Sequence, residues 1–80
     1  MKLPRDLSGT DLVRRLERLG YSVTRQTGSH LRLTCPTPEL HHITIPAHNP
    51  LRIGPLAAIL GEIDKQQGLS REDLLRRLFE

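Results

Sequence analysis

Tyr21-Ser22-Val23-Thr24-Arg25-Gln26-Thr27-Gly28-Ser29-His30-Leu31-Arg32-Leu33-Thr34-Cys35 is the stretch on which the fold of this chain turns. Polar and apolar residues alternate on both sides of Gly28-Ser29, the pattern of two half-buried strands joined by a tight turn. Glycine supplies the positive φ that such a hairpin needs. The spacing predicts strands over 21–26 and 30–35, with His30 at the head of the second. A third strand is expected over 41–46, after a loop whose prolines, Pro36 and Pro38, bar continued ladder bonds. Tyr21, Val23, Leu31, Leu33, Ile43 and Ile45 share one phase and should be buried. The opposite phase holds Ser22, Thr24, His30, Arg32, Thr34, His42 and Thr44, all polar, so the sheet should be covered on one side only.

Helices flank this sheet. Ahead of it, Leu7-Ser8-Gly9-Thr10-Asp11-Leu12 carries a capping serine, an acid at N3 and a leucine pair spaced as a staple. Leu12, Val13, Leu16 and Leu19 form the apolar stripe, and Gly20 ends the helix. After the sheet, Gly54-Pro55 opens a second helix with Leu56, Ile59, Leu60 and Ile63 inward, closed by Gln67-Gly68. A short third helix over 70–79 buries Leu74, Leu75 and Leu78. Residues 7–16 and 69–78 are identical at seven of ten positions. Nothing between them repeats, so shared capping chemistry explains the match better than duplication. The fold class is α+β: an α-β-β-β-α layout with a three-stranded antiparallel sheet, both main helices on one face, and a C-terminal helix. Double-stranded-RNA-binding domains have this architecture.

Eighty residues are expected to make one small domain with a modest core. Tyr21 and Phe79 are the only aromatic residues, which leaves little for base stacking. Residues 1–34 carry seven Lys/Arg against three Asp/Glu, whereas residues 35–80 carry five against six. A phosphate backbone would be drawn to the first half. Cys35 is the only cysteine and lies on the apolar phase, which suits a core residue in a reducing compartment. Met1-Lys2-Leu3-Pro4-Arg5-Asp6 leads into no apolar run, and no stretch is long enough to span a membrane. A cytoplasmic chain is expected.

His30 is the best-placed group for chemistry. Imidazole exchanges a proton near neutral pH, and one held beside a glycine turn is open to a ligand. It can take the proton of a ribose 2′-OH as that oxygen attacks the adjacent phosphorus. Arg25, Arg32 and the amides at Gly28 and Ser29 are candidates to bind the phosphate and its developing charge. DNA lacks the 2′-OH, so the chemistry selects RNA. A second proton carrier for the leaving oxygen would be His42, His48 or water. No metal or other cofactor is expected: His41 and His42 are adjacent and point to opposite faces, and no zinc spacing is present. His41 is assigned no specific role. Ser29 has no orienting acid and is not a nucleophile.

Leu12-Val13-Arg14-Arg15-Leu16-Glu17-Arg18-Leu19-Gly20-Tyr21, Arg25-Gln26-Thr27-Gly28-Ser29-His30, Ile43-Thr44-Ile45-Pro46-Ala47-His48 and Ile53-Gly54-Pro55-Leu56-Ala57-Ala58-Ile59-Leu60 together resemble the HicA toxin (YcfA-like) family in order and spacing. The resemblance implies a single HicA-like toxin domain over 1–80 with a double-stranded-RNA-binding-domain-like fold. It also implies a toxin of a type II toxin-antitoxin system, an mRNA-cleaving endoribonuclease that halts translation and is blocked by a HicB-like antitoxin protein. The family's catalytic histidine, in Gly-Ser-His, corresponds to His30. Two features depart from the pattern. The segment 69–80 exceeds the shortest members, and the second helix carries Glu62 and Asp64 beside a single Lys65, unlike a duplex-gripping helix. The alternatives are a non-catalytic RNA-binding module and a protein-interaction domain.

Overall fold

In the computed structural model, which describes residues 3, 4 and 6–80, Ser8 caps the first helix, α1 (Gly9–Leu16). Its hydroxyl accepts from the Asp11 amide at 3.0 Å, and the Asp11 carboxylate accepts from the Ser8 amide at 3.4 Å. Hydrogen bonding from the Ser8 hydroxyl and the Ser8 amide holds the Asp11 carboxyl below its usual range. Leu12, Val13 and Leu16 are buried. A single 3₁₀ turn, Glu17–Leu19, tightens the helix end before Gly20 closes it at φ +96°. Met1, Lys2 and Arg5 lie outside the described residues, so two of the seven basic residues counted in the first half do too.

Strands β1 (Ser22–Thr27), β2 (His30–Cys35) and β3 (His41–Pro46) form an antiparallel sheet in the order β1-β2-β3. β2 and β3 have the expected bounds; β1 begins one residue later than expected, and Tyr21 is buried just ahead of it. The register shifts between Val23 and Arg25, leaving Thr24 as an extra residue. Such a bulge reverses the facing of everything beyond it. Strict alternation would send Arg25 toward the core; the shift pairs it instead with Arg32 on the open face.

The covered face holds Leu31, Leu33, Cys35, Ile43 and Ile45, as expected. Val23 does not join them and is 42% exposed. The helices pack against β3, at the opposite edge, so β1 extends past the helical layer and every one of its residues is exposed. Helix α2 (Ile53–Gln67) starts one residue before Gly54, places Pro55 in its first turn and ends at Gly68 with φ +65°. Leu56, Ile59, Leu60 and Ile63 are its buried stripe.

Helix α3 (Arg71–Phe79) is part of the same core, contributing Leu74, Leu75 and Leu78. The Ser70 hydroxyl accepts from the Asp73 amide at 3.1 Å, so its cap matches that of α1. Arg15 of α1 donates to the Leu78 carbonyl at 2.8 Å and lies 5.1 Å from the Phe79 ring centroid. Arg71 meets Asp64 of α2 at 2.7 Å. One hydrophobic cluster therefore runs from Leu7 to Leu78.

Candidate functional site

Gly28 and Ser29 form a two-residue turn between the paired Thr27 and His30. Gly28 takes φ +56° at the first turn position, the one that a right-twisted hairpin reserves for glycine. The turn is also held from outside: the Ala47 amide donates to the Ser29 carbonyl at 2.6 Å. Beyond Ala47, the His48 carbonyl accepts from the Gly9 amide at 2.9 Å. A side chain on Gly9 would run into the Pro46 carbonyl oxygen, so only glycine lets α1 come this close. His30 is thus fixed at the meeting point of β1, β2, the end of β3 and the start of α1. Its side chain is exposed.

The register sets the neighbours of His30. His30 lies between Thr27 and Pro46, not across from Thr44 or His42. The next row along β2 is Arg25, Arg32 and Thr44; the one after is Ser22, Thr34 and His42. Rows two residues apart are separated by about 6.7 Å, which puts His42 about 13 Å along the sheet from His30. That separation is too great for both imidazoles to serve one phosphorus. His48, two residues past Pro46 and exposed, stays at the His30 end.

Arg25 and Arg32 face each other directly, a like-charged pair that costs stability in a sheet. Neither belongs to an ion pair among the described residues. Two unneutralised guanidinium groups one row from His30 favour an anion there. Farther along, the Thr24 and Thr34 hydroxyls are 2.8 Å apart, and Thr34 is 2.8 Å from His42 Nδ1. The open face therefore reads imidazole, paired guanidinium and linked hydroxyl from one end to the other.

His41 has a definite place, contrary to expectation. It is buried on the covered side, with Nδ1 donating to the Glu39 carbonyl at 2.7 Å and Nε2 2.7 Å from the Tyr21 hydroxyl. Gln67 donates to the Tyr21 hydroxyl at 3.3 Å and to the Thr37 carbonyl at 3.1 Å. With Nδ1 donating, Nε2 is free to accept the phenol proton. Burial raises the Tyr21 pKa above 10.0, with the Gln67 hydrogen bond acting against it. Cys35 is buried beside Thr37, as its strand phase suggested. Among the described residues, no three His, Cys, Asp or Glu side chains gather as a metal-binding group.

A shallow cleft of about 430 Å³ opens where α2 crosses the outer edge of β3. Arg32, His42 and Thr44 line it from the sheet, and Ala58, Ile59 and Glu62 from the helix. Neither this cleft nor the placement of Arg25 follows from simple alternation. The bulge that moves Arg25 has no local marker in the sequence other than the paired polar residues Thr24 and Arg25.

The sequence model of a family described as HicA toxin of bacterial toxin-antitoxin matches residues 9–68. No curated protein and no solved structure gives a significant match. The match takes in the turn, all three strands and α2, and stops before α3. No described helix is long and apolar enough to cross a membrane.

Proposed function

The chain belongs to the HicA toxin family of bacterial toxin-antitoxin systems, and from that membership we propose that it is a metal-independent endoribonuclease that cleaves mRNA. The observation that carries this reading is the position of His30: exposed, at a rigid turn, one row from a facing pair of arginines on an uncovered polar sheet. His30 acts as general base on the ribose 2′-OH, and the freed oxygen attacks the neighbouring phosphorus. The bond from phosphorus to the 5′ oxygen breaks, leaving a 2′,3′-cyclic phosphate and a 5′-hydroxyl. The proton on that leaving oxygen comes from water or from His48, which the register keeps at this end of the sheet.

Arg25, Arg32 and the amides of Gly28 and Ser29 hold the RNA, and Arg25 with the two amides offsets the charge that develops on the phosphorane oxygens. The chain works in the cytoplasm as a single toxin domain over residues 1–80, and a HicB-like antitoxin protein silences it by covering the face that bears His30.

Cleavage of an unstructured mRNA fragment in the presence of a chelator tests the chemistry. Products ending in 2′,3′-cyclic phosphate, and no cut where a 2′-deoxy nucleotide is placed 5′ to the cut site, are expected. Cutting that requires a divalent ion, or that proceeds equally through 2′-deoxy positions, contradicts the reading.

A further inference from the structure

The cleft between β3 and α2 has a chemistry distinct from the His30 end. Its floor is apolar where the exposed Ala58 meets the largely covered Ile43 and Ile59, and His42 stands on the sheet side. Its rim carries opposite charges, Arg32 on the sheet side and Glu62 on the helix side. Neither is in an ion pair among the described residues, so both present unused hydrogen-bonding capacity. The volume, about 430 Å³, falls within the range of small-ligand pockets. It is also continuous with the proposed RNA face, because Arg32 occupies the row next to His30 and its side chain reaches the cleft.

We infer that this cleft is a nucleobase subsite selecting guanine in the bound RNA, an inference that rests on the ribonuclease reading above. A carboxylate offers two acceptors side by side, and guanine alone offers two adjacent donors, N1–H and the N2 amine, on one edge. Cytosine and adenine put a lone pair beside their amine, and uracil flanks its one N–H with carbonyls, so each would face Glu62 with a repelling acceptor. The other edge of guanine carries O6 and N7, the pair that arginine reads most often. A guanine seated in the cleft beside Ala58 thus meets Glu62 with donors and Arg32 with acceptors. Thr44 and Ala58 border the ring, and both are small enough to admit it.

The test uses the full chain and four short 2′-O-methyl oligonucleotides, which cannot be cleaved, differing only in one central base. Wild type should bind the guanine probe about ten-fold more tightly than the other three, the effect of one charge-assisted hydrogen bond. Glu62→Gln and Ala58→Trp, both at exposed positions, should bring the four affinities together while cleavage of an mRNA fragment still depends on His30. Equal wild-type affinity for the four probes, or a guanine preference that survives Glu62→Gln, overturns the guanine subsite. Failure of wild type to bind any probe or to cut RNA overturns the ribonuclease reading itself, a result that flat affinities alone do not give.

Discussion

The Ala47 amide donates to the Ser29 carbonyl at 2.6 Å, so the end of β3 clamps the turn that presents His30. A two-residue hairpin tip is ordinarily the most mobile part of a sheet edge. Here it is braced on three sides, by its own strands, by Ala47 and, one step further, by the α1 start that leans on Pro46 and His48. A proton-transfer group acts best when its position is set before the substrate arrives. For the proton transfer proposed at His30, the fold provides that through backbone contacts, and the imidazole is exposed.

The brace has a weak point at Gly9. Adding a methyl group there forces the α1 start away from the Pro46 carbonyl. Gly9→Ala is expected to lower stability by about 1–3 kcal/mol, the usual cost of overpacking a tight contact. A urea midpoint equal to that of wild type would show that the approach of α1 to β3 is not tight.

Arg25 is expected to contribute to RNA affinity through charge alone. Arg25→Ala should weaken binding to all sequences alike and flatten the dependence of log K on log salt by about 0.7, one phosphate contact on a single strand. Titrations with a labelled oligonucleotide at several salt concentrations measure this slope. An unchanged slope would place Arg25 away from the RNA.

Burial of Tyr21 predicts the alkaline limit of the fold. Because the folded-state pKa of Tyr21 lies above the ordinary 10.0, its stabilising effect is complete below pH 10 and is lost as pH rises through the folded value. Tyr21→Phe removes this alkaline loss and also costs about 1–2 kcal/mol at neutral pH, by leaving His41 Nε2 without a donor. Urea midpoints from pH 8 to 11 for both proteins distinguish the outcomes; parallel pH profiles would contradict the account.

Helix α3 lies past the last residue of the family match, yet Leu74, Leu75 and Leu78 are fully or almost fully buried. Leu75→Ala is expected to cost about 2–5 kcal/mol, a large share of the stability of so small a chain. A change below 0.5 kcal/mol by chemical denaturation would make α3 an appendage rather than a part of the core.

Much of this architecture could be read from the sequence because local and tertiary preferences agree. Ser8 and Ser70 cap where capping residues should, and the apolar phases of β2, β3 and α2 all face one core. Agreement fails at β1. Val23 has a buried residue's phase and a surface residue's exposure, because which sheet edge the helices cover is a tertiary choice that no periodicity encodes. The bulge at Thr24 is equally silent, although it decides that Arg25 faces Arg32. His41 was legible as inward-facing but not as a hydrogen-bonded member of a network, because its partners Tyr21, Glu39 and Gln67 are brought together only by the fold. At the candidate site, the Gly-Ser-His turn stood out in the sequence, whereas the neighbours of His30 depended on register.

The most direct measurement is the cleavage rate of a defined mRNA fragment by purified wild type and His30→Ala, with circular dichroism confirming that both are folded. His30 is exposed and bears no share of the core, so the substitution should leave the urea midpoint nearly unchanged. His30→Ala should lower the rate by about 10²–10⁴-fold, the range for loss of a general acid or base. A folded His30→Ala protein that cuts RNA at the wild-type rate would contradict a catalytic role for His30.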